Sequence, residues 1–379
     1  MMSKEENRAR KKCRRIRRLS EKIYYLSTFI WRKVLTKCEW DDEKAGNYQC
    51  RSLSPEEKAE VRRVWGNVKV KDKWFVMYNS IKRDGDVPFD ARYMPLDIYY
   101  CFIDEWFNNT RESYTMDDKN MYDLYFNDVR RPQTVVRRIN GRLLDERYRD
   151  LTIEQAVQLC KSQKSVIKKP TLYAAGGAGI DFWDEADGME ALVNILEKGG
   201  NFVVQGIVRQ HPDLAALHEE SLNTIRIVTC YLDGKVEVLS SLVRVGVGSA
   251  RIDNACSGGV FCGLEDDGRL KKYAYNMHIE AFERHPNGIL FAEHKIPYFD
   301  RCKELALSLA NRFLRVAKLI SWDMAIGEDG EPVLIEMNLT YGGADMPQIA
   351  NGPLFGDKTE QVVRQALNTK RYRRYKRWL

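Results

Sequence analysis

Ile16, Leu19, Ile23, Leu26, Ile30 and Val34 recur at steps of three or four residues, the spacing of one stripe along an amphipathic helix. A basic run opens this helix, so two placements are open for it: packed on the rest of the protein with a frayed basic tip, or laid on an anionic membrane surface. Ser54, with Pro55 at the first helical position and Glu57 three residues after the cap, marks a second helix start, and Gly66 its end. An apolar stretch within 97–108 predicts a third helix. From Lys164 onward the pattern changes to short β-rich runs: SVIKK, NFVVQGIV, SLNTIRIVTCYL, KVEVLSSLV, GGVFCGL, WDMAI and VLIEMN. Asp233-Gly234 separates two of these runs by two residues, a hairpin signal. Helical segments are predicted at about 153–161, 186–198 and 300–318. The expected fold class is α+β, antiparallel sheet behind a helical front.

Composition narrows the picture. At roughly 100–200 residues per domain, 379 residues allow two or three. The divisions expected are a basic amphipathic region at 1–50, a helical or mixed domain at 51–163, a hairpin-rich domain at 164–369 and a basic tail at 370–379. With 44% apolar residues, bulk disorder is excluded. The net charge of +7 is unevenly placed: residues 1–18 hold nine Lys/Arg and two Glu, and residues 370–379 hold six Lys/Arg and no acid. The two ends thus carry +13 and the chain between them about −6, so nucleic acid is not expected as a partner. Tyr372, Tyr375 and Trp378 interleave with the last cations, and such rings favour a headgroup region. Nine cysteines form no CxxC pair and leave an odd thiol, arguing against disulfides and zinc and for a reduced cytoplasm. No apolar run reaches the ~18–20 residues of a membrane span, and 23–31 is followed by Arg32 and Lys33 without a signal-peptide cleavage site.

Candidate chemistry gathers in four places. The turn Glu328-Asp329-Gly330-Glu331, if it pairs Gly327 with Pro332, sets Asp323 directly opposite Glu336, with Asn338 on the same face. Two facing carboxylates call for something positive between them. The three hard oxygen donors suit magnesium held with substrate phosphates, against the alternative of a solvated acidic face. Lys168 and Lys169 end a strand that runs into Ala174, Ala175, Gly176, Gly177, Ala178 and Gly179, where small residues admit phosphate to backbone N–H groups; a flexible turn is the alternative. Arg226 interrupts an apolar strand and needs an anionic partner, structural or functional. The Asp233-Gly234 turn places Arg244 across from Asn223, so a second guanidinium converges there. In 251–263, Arg251, Asp253 and Asn254 beside the pair Gly258-Gly259 suit an acceptor substrate; a bulged hairpin entry explains the glycines equally well. The five histidines show no ligand spacing.

KKP with its small-residue loop, then FVVQGIV, SLNTIRIVT, SGGVFCGL and WDMAIGEDGEPVLIEMN, stand in the order found in ATP-grasp enzymes. The chain resembles the sugar-transfer-associated ATP-grasp family of bacterial cell-surface polysaccharide biosynthesis, from about Arg92 to Gly356, with ARYMPLDIYY, DDKN, QHP and HPNG included. The resemblance implies an ATP-grasp domain at 164–369 whose two β-rich lobes clamp ATP. Its γ-phosphate passes to a carboxylate, and an amine captures the acyl phosphate. It implies nucleotide contacts at Lys119, at Lys168 or Lys169, at Gly176, Gly177 and Gly179, and at the hinge from Gln205 to Ile207. Arg226 and Arg244 would act on the moving phosphoryl group. Asp323, Glu336 and Asn338 would hold Mg2+, and Asn223, Asn254, Gly258 and Gly259 would meet substrate.

The function expected is an ATP-dependent carboxylate–amine ligase decorating a saccharide, cytoplasmic and peripheral to an anionic membrane face. A non-catalytic nucleotide- or glycan-binding homologue and a kinase acting on a sugar hydroxyl are the alternatives.

Overall fold

The computed structural model describes residues 4–43, 51–108, 113, 115–172, 177–255 and 258–375. The first helix, α1, runs Lys4–Glu43. Its packed face is not the stripe read from the sequence: Phe29, Arg32 and Thr36 are buried, while Ile16, Leu19, Ile23, Ile30 and Val34 are exposed and Leu26 is only partly covered. The body offers α1 a polar partner for Arg32 in Asp104 and Glu105, each 3.1 Å away, and this pairing selects the face. The second helix, Pro55–Trp65, carries the expected Ser54/Glu57 capping box and stops at Gly66, φ 57°. A helix at Asp72–Asn79, not expected, comes next, and the apolar stretch at 97–108 is helical from Leu96–Ile98 through a π-helical turn, Tyr99–Ile103, into Asp104–Phe107.

The strands form two antiparallel sheets. The smaller holds β1 (Thr134–Ile139), β2 (Arg142–Leu144), β3 (Ser165–Pro170), β4 (Asp181–Asp184) and β5 (Phe202–Gly206), in the order β2-β1-β5-β3-β4. The sheet thus begins at Thr134 and crosses the division expected at 163/164. The overlooked signal is Asn140-Gly141, which turns at φ 51° and 83° between TVVRRI and RLL, the positive-φ pair a two-residue hairpin needs. Helices Ile153–Ser162 and Gly188–Glu197 cover one face over Val136, Val166, Trp183, Phe202 and Val204.

The larger sheet holds β6 (Thr224–Leu232), β7 (Lys235–Val245), β8 (Val260–Leu264), β9 (Leu270–Tyr275), β10 (Ala281–Phe282), β11 (Leu319–Ile326) and β12 (Pro332–Asn338), in the order β10-β9-β8-β7-β6-β11-β12. Ile225, Ile227, Val243 and Trp322 pack towards helix Phe299–Phe313. Val228, Cys230, Leu242 and Phe261 pack towards the helical front. Cys13, Cys101, Cys160, Cys230, Cys262 and Cys302 are free thiols. Among the described residues no helix is long and apolar enough to cross a membrane.

Candidate functional site

The β11–β12 hairpin places Asp323 opposite Glu336, by a different route from the one expected. The turn pairs Ile326, not Gly327, with Pro332, and a bulge at Ile335 on β12 restores the Asp323–Glu336 pair. Asn338 stands opposite Ser321 and donates to its carbonyl at 3.2 Å.

Positive charge between the carboxylates comes from the chain itself. Asp323 also pairs in register with Arg226 on β6, whose Nε and Nη2 donate to its two oxygens at 2.8 Å each, a bidentate fork. Arg244 Nη2 donates to the same carboxylate at 3.0 Å. Burial alone would raise Asp323's pKa; the two guanidinium groups outweigh it and hold it at about 2. For Arg226, burial pulls the pKa down but Asp323 more than compensates and raises it. Lys119, on a short 3-10 turn capped by Asp118, reaches Glu336 Oε1 at 2.5 Å.

Arg244 stands opposite Thr224, not Asn223, because a bulge between β6 and β7 shifts the register by one. Its Nε and Nη2 donate to the Thr224 hydroxyl at 3.0 and 2.7 Å, and that hydroxyl donates to Asp253. Asn223, expected at substrate, is instead fully buried. Its amide donates at 2.8 Å to the carbonyls of Leu214 and His218 and at 3.2 Å to Gln210 Oε1, fastening the turn before β6.

Strand alternation separates the two lysines of β3. Lys168 is buried against Asp181 at 2.8 Å and beneath the Phe202 ring, on the far face. Lys169 points to the cleft, where burial first and then Lys119 lower its pKa to about 8, with Glu336, Asp253 and Asp323 opposing. Gly176 lies outside the described residues. Gly177 and Gly179 turn at φ 79° and 75°, and a Cβ on them would stand 3.3 Å from Ile252 and 2.9 Å from Pro170, so this loop lies close against 251–253 of the larger sheet. Arg251 crosses the same gap to Asp184 at 2.9 Å.

At the hinge, Gln205 is buried between Ile167 and Thr134, and Ile207 emerges exposed. Asn254 stands partly exposed beside Asp253. Gly258 turns at φ 94°, and Gly259 passes so near Asp253 and Val245 that a Cβ would meet their carbonyls at 2.8 and 2.9 Å, which accounts for that glycine by packing.

The sequence reading did not single out Thr224, met Asp117 only within DDKN, and gave Asp253 to an acceptor substrate, whereas it holds Thr224. Asp117 accepts from Leu339 N–H and Thr340 at 3.0 and 2.9 Å; burial raises its pKa to about 7 against those bonds. It also missed the turn Tyr341-Gly342-Gly343, where a Cβ on Gly342 would stand 2.8 Å from Ser321 Oγ and one on Gly343 3.9 Å from Arg226. The paired glycines after MNLTY were the available signal.

Lys119, Lys169, Arg226 and Arg244 therefore meet Asp253, Asp323 and Glu336 between the two sheets, four cations within reach of a polyanion. For a divalent ion, Glu336 and Asn338 offer hard oxygens of the right kind. Asp323 does so only by exchanging a guanidinium, and among the described residues no three His, Cys, Asp or Glu already form a metal nest.

This arrangement has a family. The family model described as sugar-transfer associated ATP-grasp matches residues 103–364. The chain belongs to that family. No curated protein matches it. Among solved structures it is similar to D-alanyl-alanine synthetase A from Vibrio cholerae, at 13% identity and a TM-score of 0.40, covering 68% of this chain and 66% of that one. It is similar to a biotin carboxylase from Campylobacter jejuni, at 14% and 0.42, covering 69% and 48%. A third is a D-Ala:D-Ser ligase from Enterococcus faecalis, at 15% and 0.41, covering 69% and 63%. The chain spans less than two thirds of each of these structures' lengths. The ATP-grasp match takes in β1–β12 and the turn bearing Lys119, and leaves α1 outside it.

Proposed function

We propose that this ATP-grasp protein is an ATP-dependent carboxylate–amine ligase acting on a saccharide or a small-molecule acceptor. The observation carrying this reading is the convergence of Lys119, Lys169, Arg226 and Arg244 on the facing carboxylates Asp323 and Glu336, between two sheets.

Lys169 and Lys119 bind the nucleotide phosphates, and backbone N–H groups of the loop through Gly177 and Gly179 lie over them. The hinge from Gln205 to Ile207 takes the base. A substrate carboxylate oxygen attacks the γ-phosphorus, the bond to ADP breaks, and an acyl phosphate forms. Arg226 and Arg244 neutralise the charge on the moving group. An amine then attacks the acyl carbon, phosphate leaves, the nitrogen loses a proton to solvent, and an amide remains. Glu336 and Asn338, with Asp323 once a guanidinium turns to phosphate, hold Mg2+, which when bound screens the phosphate charges. Asn254 and Gly258 stand at the mouth where the acceptor enters. Narrowing of the gap between the Gly177 loop and 251–253 excludes water from the acyl phosphate.

The test incubates the protein with ATP, Mg2+ and a panel of sugar acids and amines, following ADP, AMP and phosphate. ADP and phosphate released only when an acid and an amine are both present support the ligase. A stable phosphorylated sugar replaces it with a kinase, and nucleotide binding without turnover for any pair replaces it with a binding protein.

A further inference from the structure

Apart from Leu26, the apolar stripe of α1 has no partner among the described residues. Ile16, Leu19, Ile23, Ile30, Trp31 and Val34 are between 46 and 60% exposed, although α1 has a packed face of its own in Phe29, Arg32 and Thr36. At 100° per residue the stripe stands more than a quarter-turn from that face, so docking to the body does not cover it. Along the described part of the stripe, Lys11, Lys12, Arg14, Arg15, Arg17, Arg18 and Lys22 are exposed and Glu21 is the sole acid, 4.0 Å from Arg17.

A second basic segment joins the first through the fold. Helix Lys370–Tyr375 is pinned to α1 by Tyr375, whose ring stacks on Phe29 at 4.9 Å, and to the body by Tyr372 against Phe102 at 5.2 Å. This corrects the expectation that Tyr372 and Tyr375 meet headgroups: both are buried, because they are the anchors. Trp378 lies outside the described residues. Arg373 and Arg374 stay exposed, and their helix lies on the packed, Phe29 face of α1, away from the stripe.

We propose that α1 docks the protein on an anionic lipid bilayer, with Ile16, Leu19, Ile23, Ile30, Trp31 and Val34 in the headgroup–acyl boundary and the exposed cations of residues 11–22 on lipid phosphates. The 3-4 spacing of the stripe would also serve a helix pair between two copies. Charge decides against that occupant: between residues 8 and 34 each helix carries eleven Lys/Arg and one acid, so two such helices bring like charges together, whereas an anionic surface neutralises them. The inference is independent of the ligase reading, since it uses no residue of the cleft.

The test uses the full chain with vesicles of phosphatidylcholine alone and with phosphatidylglycerol at about one third, in co-sedimentation and gel filtration. Binding to the anionic vesicles that falls tenfold or more in Leu19→Glu/Ile23→Glu and in Arg14→Ser/Arg15→Ser/Arg18→Ser, and weakens with salt, supports the proposal. Those positions are exposed, so the thermal midpoint stays unchanged, and nucleotide binding, measured alongside, reports on the cleft separately. Equal binding of variant and parent, or no binding to either vesicle, overturns the proposal. A concentration-dependent dimer that Leu19→Glu/Ile23→Glu abolishes, without vesicle binding by the parent, assigns the stripe to a second copy.

Discussion

Lys168 and Lys169 are chemically identical neighbours with opposite surroundings. Lys168 neutralises a partly exposed carboxylate, Asp181, which Lys198 also reaches at 2.5 Å, whereas Lys169 enters the cleft beside Lys119. Lys169→Ala is expected to raise the ATP dissociation constant ~10-fold or more by removing a charge from the phosphates. Lys168→Ala is expected to leave that constant within about threefold but to destabilise the fold by ~1–3 kcal/mol, less than a fully buried break because Lys198 remains. Nucleotide titration with urea denaturation of both variants checks the assignment, and the reverse ranking moves it to Lys168. The pH dependence follows from the same environment. Lys169 loses its proton near pH 8 as burial and Lys119 disfavour its charge, so kcat/KM for ATP should decline as pH rises through about 8. Lys169→Arg should remove that limb, since a guanidinium stays charged. Asp323, held at about 2, is ionised throughout this range and contributes nothing to the slope.

The β11–β12 hairpin shows what an element adds to its residues. Facing carboxylates suggest that Glu336→Gln relieves repulsion and leaves the fold no less stable. In the structure, Lys119 already pairs with Glu336 at 2.5 Å, and Arg226 and Arg244 hold Asp323. Glu336→Gln therefore strands Lys119, and the expected outcome is a modest loss of stability, ~1 kcal/mol, together with a fall in turnover of ~100-fold or more. Thermal unfolding and a steady-state assay check the two parts. A variant more stable than the parent would reinstate repulsion as the governing effect, and near-normal turnover would remove Glu336 from the chemistry.

Across the whole molecule, Arg32 joins α1 to the rest. It lies between Asp104 and Glu105, donates to the Tyr100 carbonyl at 2.5 Å, and stands 4.9 Å over the Tyr341 ring, beside the glycine turn that follows β12. Even with Arg32 in place, burial keeps the Asp104 pKa above its ordinary value. Arg32→Met is expected to cost ~3–5 kcal/mol by stranding buried carboxylates, seen as a lower denaturation midpoint and faster proteolysis of α1. Adding Asp104→Leu should recover part of the loss. An unchanged midpoint in the single variant would show that α1 is held by Phe29 and its aromatic neighbours alone.

Local chemistry was enough for features closed within a few residues: the Ser54/Glu57 cap, the Asp233-Gly234 hairpin and the three later helices, while Asp323 faces Glu336 only because a bulge offsets the turn. Each rests on capping, turn dihedrals or strand alternation, all written in adjacent positions. What failed locally depended on bulges. One extra residue shifts every partner beyond it, so Arg244 faces Thr224 and Asn223 turns inward. The cations that pair with Asp323 and Glu336 arrive from β6, β7 and a turn some two hundred residues upstream, and no spacing encodes that meeting. The sequence displayed the apolar stripe of α1 and both basic ends. Only the tertiary structure decided that Arg32 and Phe29 turn the stripe to solvent and that Tyr375 docks the second basic helix on the packed face by Phe29, because burial is settled by which surface the body can match.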